Sequence, residues 1–133
     1  MPIVLVVEDK ADARRPLAKL LRQEGYDVLT AVNAYQAMAA IRSSRPDLIL
    51  MDVGIAPIDG LTCLMLMHEE NPAFEVPVML VTGFSDENTI ARAQQMGVKA
   101  HLVKSQFTPE QLLELVRQYA GSASPPRTPH QPD

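Results

Sequence analysis

Four short, nearly continuous apolar runs punctuate the chain: Ile3–Val7, Leu48–Met51, Val76–Val81 and Ala100–Val103. Runs of this length, rich in Val, Ile and Leu, suit strands buried on both faces of a parallel sheet. A weaker run, Asp27–Val32, follows Gly25 and supplies a fifth strand. The segments between the runs carry a helical period. Ala34, Ala37, Met38 and Ile41 fall at i, i+3, i+4 and i+7, and so do Leu112, Leu115, Val116 and Tyr119. Leu17, Leu20 and Leu21 mark a first helix, and Leu61, Leu64 and Met65 a third. A fourth, from about Asp86 to Met96, has only Ile90, Ala93 and Met96 on its inner stripe.

The punctuation fits this division. Gly25, Gly97 and Gly121 stand where helices should stop. Thr108-Pro109-Glu110-Gln111 reads as an N-cap, a Pro at the first helical position and a Gln at the third, the capping-box pattern. Strand and helix alternate five times, which predicts parallel strands joined by right-handed crossovers with helices on both faces. The expected unit is one α/β domain over residues 1–120. The remainder, Gly121–Asp133, holds four of the eleven prolines and has no apolar period. It is expected to be a disordered Pro-rich tail or a linker.

Composition narrows the class. A chain of 133 residues fits one domain. Aromatics are few and Trp is absent, so the core must come from aliphatic residues, Ala and seven Met. A net charge of −4 speaks against a nucleic-acid surface, which needs clustered Lys and Arg. Cys63 is the single cysteine, which excludes an internal disulfide or a cysteine-built zinc site. No apolar run approaches the roughly 20 residues needed to cross a bilayer. Met1-Pro2-Ile3-Val4-Leu5 lacks the basic region of a signal peptide. These features predict a cytoplasmic module with no membrane contact. Cys63 and the Met65/Met67 pair are expected to be core and helix filler, and His101 a half-buried strand residue.

In a doubly wound sheet, ligands bind beyond the carboxyl ends of the strands. Glu8 and Asp9 follow the first strand, Asp52 the third, Thr82 the fourth and Lys104 the fifth. Singly, each has a plain alternative: Asp9 or Thr82 as a helix cap (though Ser85 is the better cap for the fourth helix), Lys104 as a solvated lysine. Together they form a chemical set. Three converging carboxylates repel one another. A hard cation such as Mg²⁺ relieves this, typically through one or two carboxylates plus waters. A carboxylate nucleophile, a metal, an ammonium and a hydroxyl can stabilise an incoming phosphoryl group.

On these residues the chain resembles the receiver domain of two-component response regulators, of the chemotaxis-regulator type, over residues 2 to about 120. Asp59-Gly60, seven and eight residues past Asp52, also matches the family's loop. The resemblance implies a flavodoxin-like five-stranded parallel sheet in the order 2-1-3-4-5. It implies that Asp52 is the phosphoacceptor, served by a histidine kinase or a histidine phosphotransfer protein. It implies Mg²⁺ held by Asp9, Asp52 and the Gly54 carbonyl, with Glu8 acting through water. Thr82 and Lys104 would complete the catalytic set. Thr82 would also be a switch, read out to a downstream protein through the fourth helix, fifth strand and fifth helix.

Some positions depart from the family pattern. Ile55 and Ala56 stand where Met-Pro is usual, with Pro57 displaced by one. His101 replaces an aromatic in the switch, and Ser105 replaces the Pro after the conserved Lys. Without that Pro a cis bond at Lys104–Ser105 would be disfavoured by roughly 2.5–4 kcal/mol, so a trans bond and a different loop path are expected. Gly54 and Phe84 flank the path of an attacking water, and neither can orient it, which predicts slow loss of the phosphoryl group. Two other classes fit worse. A dehalogenase-type phosphatase needs a second Asp where Gly54 stands. A flavodoxin needs a phosphate loop after the first strand, where Glu8-Asp9 would repel phosphate.

Overall fold

The computed structural model describes residues 1–83 and 87–123. Phe84, the proposed cap Ser85, the expected helix start Asp86 and the tail from Ser124 lie outside them. The described residues form five strands and five helices in strict alternation. The strands are β1 (Ile3–Val7), β2 (Asp27–Ala31), β3 (Leu48–Met51), β4 (Val78–Thr82) and β5 (Ala100–Val103). The helices are α1 (Ala11–Gln23), α2 (Ala34–Ser44), α3 (Gly60–Glu70), α4 (Glu87–Gln95) and α5 (Pro109–Ala120). All strand pairs are parallel, and the order is β2-β1-β3-β4-β5. This is the doubly wound, flavodoxin-like sheet expected from the alternation and the resemblance.

The continuous apolar runs are explained by what each face meets. Successive side chains of a strand point to opposite faces. Leu5, Val7, Ile49, Met51 and Leu80 pack with Ala37 and Ile41 of α2, Leu61 and Leu64 of α3 and Ala93 of α4. Val4, Val6, Leu48, Leu50, Met79 and Val81 pack on the other face with Leu21 of α1 and Leu112 and Val116 of α5. Both faces are covered, so no polar alternation can survive in the three central strands. Cys63 is fully buried in the first cluster, and burial, with the nearby Asp59 charge, pushes its thiol up to about 11. It is therefore a core side chain that stays protonated at neutral pH.

Most helix ends follow the signals in the chain. Asn33 and Asp59 cap α2 and α3 by accepting from the backbone N–H of Gln36 and Thr62 at 2.9 and 2.8 Å. The capping box of α5 is complete, with Thr108 and Gln111 bonded reciprocally at 3.1 and 2.8 Å. Gly25, Gly97 and Gly121 all take positive φ just past helices. Elsewhere the boundaries shift. β4 begins at Val78, not Val76, because Pro77 has no N–H to give the ladder, and it runs on through Thr82. β2 stops at Ala31, since the Val32 N–H turns to the Gln36 side chain at 3.0 Å. α2 stops without a glycine, at Arg45 in the left-handed region (φ 46°) just before Pro46. Pro16 lies inside α1, where the absence of its N–H leaves the Asp12 carbonyl without its usual helical donor. The Lys104–Ser105 bond is trans, and Ser105 has φ 66°, a value closed to proline. Among the described residues no helix is long and apolar enough to cross a membrane.

Candidate functional site

The carboxyl edge of the sheet gathers the residues singled out above. β1 delivers Glu8 and Asp9, and the Glu8 N–H is anchored to the Ala31 carbonyl at 3.0 Å. β3 delivers Asp52, whose N–H donates to the Val7 carbonyl at 3.0 Å. Thr82 is the last residue of β4 and lies beside Val103 of β5. Lys104 follows, its N–H bonded to the Thr82 carbonyl at 2.6 Å. The strand ladders thus run one step past the strands and fix where each side chain starts.

Glu8, Asp9 and Asp52 each present a carboxylate oxygen, all within 4.8 Å of one another. The three differ in setting: Glu8 is buried, Asp52 half-buried and Asp9 exposed. Asp52 accepts the Gly54 N–H on Oδ1 at 3.0 Å and the Lys104 ammonium on Oδ2 at 3.2 Å. Lys104 also ion-pairs closely with Glu8 Oε1, and Glu8 Oε2 accepts the Lys10 N–H at 3.3 Å. Sequence reasoning placed Lys104 opposite the acids but did not single out Glu8 as its near partner. Burial raises the Glu8 pKa; Lys104 opposes the shift and the Asp52 charge adds to it. For Lys104, burial acts to lower the pKa, but the hydrogen bond to Glu8 and the Asp52 charge outweigh it, and the net shift is upward. The ammonium therefore stays charged at any physiological pH.

Thr82 is buried, and its Oγ1 lies 3.4 Å from Nε2 of the half-buried His101. Which atom donates depends on the imidazole tautomer. The loop after Asp52 carries the departures from pattern: Ile55 packs into the core, while Ala56 and Pro57 are exposed. Gly60 sits directly beneath the acid. A Cβ there would lie 2.7 Å from the Asp52 carbonyl oxygen and 3.0 Å from the Met51 side chain. Sequence reasoning noted Asp59-Gly60 only as a matching pair; the close approach supplies its physical reason. It missed Arg14 altogether, whose Nη1 donates to the carbonyls of Glu8 and Asp9 at 3.0 and 3.3 Å. No spacing rule signals a bond from one helical turn back into the preceding loop. From the acids a cleft of about 650 Å³ runs between α1 and α5, past Leu17, Leu20 and Phe107.

Comparison with known proteins bears on this arrangement. Residues 4–117 match the response regulator receiver domain family. The chain is 29% identical over 120 residues to the polar-differentiation response regulator DivK of Brucella anthropi, covering 90% of this chain and 97% of that protein. It is 34% identical over 102 residues to the transcriptional regulatory protein PdtaR of Mycobacterium tuberculosis, covering 76% of this chain but only 48% of that one. The chemotaxis protein CheY4 of Vibrio cholerae superposes with a TM-score of 0.81 at 26% identity, over 90% of this chain and 98% of that chain.

Proposed function

The chain belongs to the response regulator receiver domain family, and from that premise we propose that Asp52 accepts a phosphoryl group with Mg²⁺ held beside it. The observation that carries this reading is the Asp52 carboxylate, in one cluster with Glu8 and Asp9 and in contact with Lys104. Three hard oxygen donors within 4.8 Å of one another suit Mg²⁺ better than a softer metal. Asp9, Asp52 and the Gly54 carbonyl would hold the ion. Glu8 would act through water, which fits the two partners its oxygens already have. When bound, Mg²⁺ would draw charge from the phosphoryl oxygens.

The residues of the chain divide the remaining work. One Asp52 oxygen attacks phosphorus while the bond to the donor atom breaks: nitrogen in a phosphohistidine, oxygen in acetyl phosphate. The leaving group takes the electron pair. Lys104 offsets the charge gathering on the phosphoryl oxygens, and the Thr82 hydroxyl can donate to one of them. The donor is a histidine kinase or a histidine phosphotransfer protein. The domain is a cytoplasmic signalling module that catalyses only its own phosphorylation and its slow dephosphorylation. It engages neither nucleic acid nor membrane directly. Acetyl phosphate with Mg²⁺ should add one phosphoryl group by intact mass, and EDTA should prevent it. Equal labelling in EDTA would rule out the metal's part in this reading.

The output passes to a downstream protein through α4, β5 and α5. Thr82 moves toward the phosphoryl oxygens, and His101, already 3.4 Å away, follows it. Imidazole is smaller than the phenol ring usual at this position, so the coupling should be weaker than in relatives with the aromatic. Crystal structures with and without beryllofluoride should show different His101 rotamers. Identical rotamers would remove His101 from the switch.

A further inference from the structure

We propose that Arg14 is a positioning residue for the metal site, holding the β1–α1 loop that carries Glu8 and Asp9. The inference rests on the reading of the acids as a Mg²⁺ site. Only three residues, Glu8 to Lys10, separate β1 from α1, and two of them are the acids. A loop of this kind is usually fixed by the N-cap of the helix that follows. Here the N-cap is Lys10, and its side chain makes no capping hydrogen bond. α2, α3 and α5 all have a side-chain cap from Asn33, Asp59 and Thr108. α1 uses a different device. Arg14, in the second turn, reaches back so that Nη1 donates to the Glu8 carbonyl at 3.0 Å and the Asp9 carbonyl at 3.3 Å. One nitrogen with two N–H groups thereby ties the two acid-bearing residues to each other and to the helix.

The sign of the effect separates this role from a purely electrostatic one. As a positive charge on the loop that carries the acids, Arg14 should repel an incoming Mg²⁺, and removing it should tighten binding. As a clamp on the backbone of the ligands, it spares the metal the ordering of the loop, and removing it should weaken binding. Groups that orient metal ligands typically contribute 10–100-fold to affinity.

The test is titration of Mg²⁺ alone into the full chain, followed by calorimetry or by the amide resonances of Asp9 and Gly54, at a temperature well below unfolding. Arg14→Met should raise the Mg²⁺ dissociation constant about tenfold. Arg14→Lys keeps the charge on a non-planar head and should fall between Met and wild type. If Arg14→Met does not fold, Arg14→Lys decides alone by binding more weakly than wild type. Unchanged or tighter binding in the folded variants overturns the proposal, as does a loss confined to thermal stability in EDTA. A wild type that takes no Mg²⁺ would instead overturn the functional reading on which this one stands.

Discussion

Asp52→Asn is expected to abolish phosphorylation by acetyl phosphate and Mg²⁺, leaving the intact mass unchanged where the wild type gains one phosphoryl group. An amide oxygen is neutral and a poor nucleophile, so the chemical step loses its attacking group. The neighbouring carboxylates are badly placed to substitute. Glu8 is buried with one oxygen on Lys104 and the other on the Lys10 N–H. Asp9 is exposed and makes no salt bridge among the described residues that would steady a phosphoryl group. Asp52 holds the Lys104 ammonium on one oxygen and a backbone N–H on the other, and unlike the buried Glu8 it is only half-buried and so open to a donor. The substitution should not unfold the domain. Asparagine keeps the shape, Lys104 keeps Glu8, and the Coulombic push of Asp52 on Glu8 disappears. The thermal midpoint in EDTA should therefore equal or exceed that of the wild type. Labelling that persists in Asp52→Asn would move the acceptor to another side chain, and peptide mapping would say which.

How much of this was legible in the residues depends on whether a local rule exists for it. The strands were legible because burial on both faces leaves an unbroken apolar run, and Leu5 and Val6 look alike in sequence even though they serve opposite clusters. The acids were legible because alternation fixes which end of each strand is which. Boundaries set by single backbone groups were less so: Pro77 delays β4, and the Gln36 side chain ends β2. Arg45 ends α2 in a conformation for which an Arg gives no warning. Pro16 would be read as a helix breaker, yet α1 runs through it. The pairing of Lys104 with Glu8 joins residues 96 apart and depends on side-chain direction at two strand ends. Arg14 in sequence is one basic residue of an amphipathic helix; only the uncapped start of that helix gives it a place in the loop. The role of Gly60 depends on distance as well, and it makes the sharper test of the structure.

Gly60→Ala should destabilise the apo protein by about 2–3 kcal/mol, lowering its thermal midpoint by roughly 10 °C. Helix propensity works the other way. Gly60 is the first residue of α3, and replacing Gly by Ala in a helix typically gains about 0.5–1 kcal/mol. Sterics should win because nothing around the new methyl group can give way. Its nearest neighbour, at 2.7 Å, is the backbone carbonyl of Asp52, and the next, at 3.0 Å, are Cγ and Sδ of the fully buried Met51. The Gly60 N–H is itself tied to the Val53 carbonyl at 2.9 Å, so the helix start cannot simply slide outward. Relief must come from moving the Asp52 backbone, which also displaces the acceptor carboxylate. The variant should therefore bind Mg²⁺ more weakly than wild type even when folded. Gly83→Ala is the control: among the described residues a Cβ at Gly83 meets nothing within 4 Å, and Gly83 is exposed. Its midpoint should stay close to that of the wild type. Equal midpoints for Gly60→Ala and wild type, measured by thermal unfolding in EDTA, would mean that the loop beneath Asp52 is looser than the 2.7 Å approach implies. A matching loss in Gly83→Ala would mean that steric contact is not what sets these two glycines apart.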